Sequence, residues 1–107
     1  MKNKVQTITF ENQYLSSREN AAHKRVVVLS YLEEGSDIIF DLTNVKSISA
    51  SYADELFAIL YLSVRSDFKE RITFLVDKSA TSNDNIRSIS DAIKMRESQE
   101  NDRLVYS

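Results

Sequence analysis

The chain has 107 residues, 42% of them apolar and 28% charged, with a net charge of −2. That is room for one hydrophobic core and not for two, and the near-neutral balance supplies no bulk attraction to nucleic acid or to an anionic membrane. There is no cysteine, no proline and a single glycine, Gly35, which excludes disulfides, thiolate nucleophiles, cysteine-based zinc sites and glycine-rich phosphate loops.

The first residues, Met1 to Thr7, lack the apolar run of a signal peptide. No segment approaches the roughly 18 apolar residues of a membrane span. The expectation is a cytoplasmic protein with no membrane and no nucleic-acid partner. Val5 to Phe10 alternates apolar and polar residues and reads as an edge strand. Ser16-Ser-Arg-Glu19 has the form of a capping box with Ser16 as the cap, opening a helix that runs to about Glu34. Its expected inner stripe is Ala22, Val26, Leu29 and Leu32, although Val26-Val-Val28 also has the composition of a strand. Gly35 is the natural stop.

Asp37 to Leu42, with Ile38-Ile-Phe40 at its centre, reads as a central strand covered on both faces. Asn44 turns the chain, and Val45 to Ile48 leads to a serine-studded junction, Ser49-Ala-Ser51. A helix follows from Tyr52 to about Arg65, with Ala53, Leu56, Phe57, Leu60 and Val64 on one apolar face. Arg71 to Val76 is the next strand, and Asp77 to Asp84 is a polar loop. Ile86, Ile89 and Ile93 mark a last helix ending near Arg96. Residues 97–107 read as a polar tail whose Leu104-Val-Tyr106 is a last strand, a docking segment or a frayed end. Strand and helix alternate, which implies parallel pairs joined by crossovers.

At the junction, Ser51-x-x-Asp54 is a capping pattern with Ser51 as the cap, and Asp54 and Glu55 compensate the helix dipole. Adjacent helical positions point about 100° apart, so these two carboxylates do not converge on one substrate atom. Tyr52 is read either as exposed, where a tyrosine suits a protein interface, or as an ordinary half-buried tyrosine. His23, the only histidine, is expected to face solvent, and a lone histidine without cysteine makes no metal site. Arg96 is read either as paired with a carboxylate or as a solvated charge at a helix end.

The segment Ile48-Ser-Ala-Ser-Tyr-Ala-Asp-Glu-Leu-Phe57, preceded by Ile38-Ile-Phe-Asp-Leu42 and followed by Ile89-Ser-Asp-Ala-Ile-Lys-Met-Arg96, resembles the STAS-like domain family. That family is related to sulfate transporter and anti-sigma factor antagonist (STAS) domains. The resemblance implies one α/β domain over 1–107, with its core at about 4–96 and a mixed, mostly parallel sheet of about four strands with helices packed against it. It also implies a non-enzymatic module of bacterial regulation that signals through protein–protein contact, with a histidine-kinase-type ATPase or an anti-sigma factor as partner and no cofactor. The partner-binding candidates are Ser49, Ala50, Ser51, Tyr52, Asp54 and Glu55. The antagonists' motif reads Asp-Ser-Ser-Gly-Leu and carries the phosphate on its first serine. An ungapped match places Ala50 at that position, Ser49 at the Asp, Ser51 at the second Ser and Tyr52 at the Gly; only a shifted match makes Ser49 or Ser51 the phosphorylated residue. The alternative is a small-molecule sensor that takes a nucleotide or lipid at the strand-to-helix junction.

Overall fold

The computed structural model describes residues 4–106, with side chains over 4–100. The strands are β1 (Val5–Ile8), β2 (Tyr14–Leu15), β3 (Asp37–Asp41), β4 (Ser47–Ile48) and β5 (Ile72–Leu75). The helices are α1 (Arg18–Glu33), α2 (Ala50–Ala53), a π-helical turn (Asp54–Ala58), α3 (Ile59–Val64), α4 (Asp67–Arg71) and α5 (Ala80–Tyr106). The fold is α/β. β1, β3 and β5 form one sheet in the order β1-β3-β5, and β2 and β4 form a separate two-stranded ribbon. Every described pairing is parallel.

The central strand is where the sequence puts it, but only one of its faces is closed. Ile38, Phe40 and Leu42 are fully buried, and across the register Phe40 meets Ile8 and Phe74 while Ile38 meets Ile72. The alternate positions, Val5, Thr7, Ile39, Thr73 and Leu75, form the opposite face, which is exposed apart from a half-buried Ile39. A continuous apolar run therefore does not signal two covered faces here. The buried face centres on Phe40, whose ring lies 5.0 Å from Phe57 of the π turn, 5.6 Å from Phe74 and 6.3 Å from Phe10.

α1 is capped by Ser17, whose hydroxyl accepts the Asn20 amide at 3.2 Å, one residue after the expected Ser16. Leu32 is buried as expected and Leu29 packs against the core, but the rest of the stripe is shifted by one position: Ala21 and Val28 are buried, while Val26 is 64% exposed. The cause is Arg25, which occupies the inner face between Ala21 and Val28 and carries its guanidinium to Glu55. An arginine stem can fill an apolar stripe while its head is bonded elsewhere. α1 stops at Gly35, which has φ +92°, with the Ser36 amide donating back to the Tyr31 carbonyl at 3.0 Å. Arg71 donates to the Leu32 and Ser36 carbonyls at 2.8 and 2.7 Å and so seals this helix end. That residue closes α4 rather than opening the last strand.

The helix after the junction starts at Ala50, two residues earlier than expected, and widens into the π turn. Ala53, Leu56, Phe57 and Leu60 are fully buried as their spacing requires, and so is Ala58. α5 opens at Ala80, within the expected loop: the Ser79 hydroxyl accepts the Ser82 amide at 3.1 Å, and Asp77 accepts from the Ser79 amide and the Ser82 hydroxyl. It continues through Arg96 to Tyr106, so residues 97–106 of the expected tail are helical backbone, and Ser107 lies outside the described residues. No proline or glycine in that stretch ends it. Asn85, 2% exposed, donates to the Val45 carbonyl at 3.0 Å and pins α5 to the loop before the ribbon.

Replacing Phe40 by alanine should lower the unfolding free energy by about 3–5 kcal/mol. Asn85→Ala, which leaves the Val45 carbonyl without this donor, should cost about 1–3 kcal/mol. Urea unfolding followed by circular dichroism measures both.

Candidate functional site

The ribbon builds the site. β2 and β4 run parallel, and each leads within two residues into a helix, β2 into α1 and β4 into α2. Two helix N-termini therefore lie side by side. The Ser49 amide donates to the Leu15 carbonyl at 2.8 Å, and the Ser49 hydroxyl reaches the Ser16 carbonyl at 3.4 Å. The same hydroxyl accepts the Tyr52 amide at 3.1 Å, so Ser49, not Ser51, is the N-cap of α2.

This correction moves every neighbour. Ser51 is released from capping and is exposed, as is Ala50. Tyr52 turns inward to 3% exposure, its ring edge-on to Phe10 at 6.4 Å, and is unavailable as a surface anchor. Ser49 is half-buried with its oxygen engaged, so adding a phosphate there would remove the cap. Of the two serines considered for phosphorylation, Ser51 is the exposed one.

The carboxylates do not form an acidic edge. Asp54 takes Arg96 of α5 in a two-pronged pair, Nε to Oδ1 at 2.6 Å and Nη2 to Oδ2 at 2.7 Å. Glu55 takes Arg25 of α1 through both its side chain and its carbonyl oxygen. Arg18, in the first turn of α1, bridges the two, at 3.0 Å from Asp54 and 3.4 Å from Glu55. The divergence expected of adjacent helical residues is visible in their different main partners. Three arginines face two carboxylates, which leaves one net positive charge. The Arg96 guanidinium beside Asp54 holds its carboxyl below the usual range against the opposing effect of burial, and Arg18 adds to this. Arg25, then Arg18, does the same for Glu55.

Beside this cluster lies an open groove of about 430 Å³. Ala50, Ser51 and Asp54 form one wall, and Ser88, Asp91, Ala92, Met95, Arg96 and Gln99 of α5 form the other, with Arg18 at the side. The α5 residues repeat at i, i+3, i+4, i+7, i+8 and i+11, one helical face over three turns. Met95 is 66% exposed and is the groove's large apolar side chain. On the α5 wall, Asp91, Ala92, Met95 and Arg96 lie within the Ile89–Arg96 segment that carries the resemblance, while Ser88 and Gln99 are marked only by the helical periodicity. Of the six partner-binding candidates, the structure gathers Ala50, Ser51 and Asp54 in the groove and places Ser49, Tyr52 and Glu55 behind it. His23 is exposed, as expected. Among the described residues, no three acidic or histidine side chains converge as a metal-ligand set.

Arg96→Met should destabilise the protein by about 1–3 kcal/mol, between an exposed and a fully buried pair. Because the folded-state values of Asp54 and Glu55 are lowered, their pairing contributes stability above the ordinary carboxylate range and loses it as pH falls through the lowered values. Urea unfolding from about pH 7 down to pH 2 should therefore show a steeper acid loss for the natural chain than for Asp54→Asn, whose starting stability is lower.

No curated protein and no solved structure matches the chain. A family described as a STAS-like domain of unknown function matches residues 25–81. The matched stretch takes in β3, the ribbon strand β4, the capped junction, the π turn and β5, and ends at the start of α5. It covers more than half of the chain, and the chain belongs to the STAS-like domain family.

Proposed function

We propose that this protein is a non-enzymatic, cytoplasmic regulatory module that acts by docking a protein partner in the groove between α2 and α5. The partner class is a histidine-kinase-type ATPase or an anti-sigma factor, by analogy with the anti-sigma factor antagonists that the family is related to. One observation carries the reading. The junction carboxylates are each bonded to arginines, which leaves Ala50, Ser51 and Met95 as the exposed surface on a braced base. Arg18, Asp54 and Arg96 supply a polar rim around that small apolar centre, an arrangement suited to a helix or loop of a partner. Ser51 is the hydroxyl on which a switching phosphate would sit, with Arg18 lining the same groove.

A second reading rests on the groove's size. About 430 Å³ falls within the range of small-molecule pockets, so a nucleotide or lipid over the junction is the competing occupant. No helix among the described residues is long and apolar enough to cross a membrane.

Affinity capture from native lysate with the tagged full chain, read by mass spectrometry, tests the docking surface. An ATPase of the stated class should be recovered. Ser51→Glu and Met95→Glu should each lower its recovery by about tenfold or more, as expected of central interface residues. Lys69→Glu, on α4 and outside the groove, should leave recovery unchanged. Equal capture by all variants would overturn the surface. Saturable thermal stabilisation by a nucleotide, lost in the groove variants, would favour the second reading.

A further inference from the structure

A second concavity, of about 340 Å³, lies between the loop after β1 and one side of α1. It shares no lining residue with the α2–α5 groove, so the two stand or fall separately. Phe10, Tyr14, Val27 and Tyr52 give it apolar walls, and Lys24 and Glu11 are its charged groups.

The Tyr52 hydroxyl is the first observation. Its residue is 3% exposed, yet the hydroxyl makes no hydrogen bond among the described residues. A buried phenol ordinarily finds a partner. No fully buried side-chain nitrogen or oxygen of the described residues lacks one, so this hydroxyl reaches the open space of the pocket. Burial, with the charge of Glu11 adding to it, pushes the phenol up to about 12, so it stays protonated at neutral pH and can donate to an oxygen in the pocket.

Lys24 is the second observation. Its ammonium is held in place rather than free: it donates to the Thr9 carbonyl at 3.1 Å and sits 5.3 Å from the Phe10 ring centroid. Its carboxylate partner is Glu11, at 3.5 Å, and the Glu11 side chain is 82% exposed against 19% for Lys24. So exposed a pair is weak, and an incoming carboxylate can take the place of Glu11. A positioned cation, an unused phenol donor and aromatic walls within a volume at the low end for ligand pockets define a small, flat acid.

We propose that this pocket binds a small monocarboxylate bearing an aromatic ring. The carboxylate displaces Glu11 from Lys24, the ring lies against Phe10, Tyr14 and Val27, and the Tyr52 hydroxyl donates to a ligand oxygen.

Titration of the ¹⁵N-labelled full chain with benzoate, followed by amide chemical shifts, tests this. Saturable shifts are expected at residues 10–16, 20–27 and 52, with benzamide (no charge) and acetate (no ring) each about tenfold weaker or worse. Lys24→Met should weaken benzoate about tenfold or more, and Tyr52→Phe about threefold to tenfold. Glu11→Gln, an exposed change that leaves the fold alone, should tighten binding because it removes the competing carboxylate. Absence of saturable shifts with millimolar benzoate would overturn the proposal. So would an equal response to benzamide, or binding unchanged by both Lys24→Met and Glu11→Gln.

Discussion

The ion lattice of Arg18, Arg25, Asp54, Glu55 and Arg96 is the constraint on which the candidate surface depends. It joins three separate helical elements at one point: α1 through Arg18 and Arg25, the π turn through Asp54 and Glu55, and α5 through Arg96. Apolar packing alone brings these elements together without fixing their rotation, because dispersion and burial are non-directional. The two-pronged Arg96–Asp54 pair is directional, and with the Asn85–Val45 bond it anchors α5 where its Ser88–Gln99 face meets the junction. The lattice is only partly buried, so its worth lies as much in this geometry as in stability.

The π turn explains how one short segment serves both core and rim. Its Leu56, Phe57 and Ala58 are fully buried, while its first two residues, Asp54 and Glu55, face the arginines. A π turn inserts an extra residue into the helical repeat and thereby loosens the usual carbonyl pairing. Arg25 takes up the consequence by donating to the Glu55 carbonyl as well as to its carboxylate. The widened turn, its arginine and the rotated stripe of α1 are one structural event, since the arginine that satisfies the turn is the residue that displaces the expected stripe.

Much of the fold was legible because it rests on local rules. The alternation of strands and helices, the stop at Gly35 and the face Ala53, Leu56, Phe57 and Leu60 all follow from periodicity and backbone freedom. The misplacements come from serines competing for one role. Ser16 and Ser17, and Ser49 and Ser51, are equally good caps by type, and what chooses between them is where the β2–β4 ribbon ends. That pairing joins segments far apart in the chain. The same limit hid the lattice: Arg18 lies 36 residues from Asp54 and Arg96 lies 42, so no spacing rule connects them. Tyr52 is more deeply buried than either reading of it, for a compound reason. Starting the helix two residues earlier rotates it from the first exposed turn toward Phe10.

The extent of the family match sharpens what the groove means. Residues 25–81 include Ala50, Ser51, Asp54 and Glu55, but Arg18 and Arg96 lie outside them, and so does the α5 wall from Ser88 to Gln99. The groove therefore joins a wall inside the matched stretch to one outside it. Met95, Asp91 and Gln99 stand on the α5 wall, and Arg96 ties that wall to the junction through Asp54. Any event at Ser51 that draws Arg18 away would weaken one of the two grips on Asp54 and leave Arg96 as the remaining one. The junction and the α5 wall are thus joined through Asp54 by arginines from two helices, without any contact that runs through the sheet.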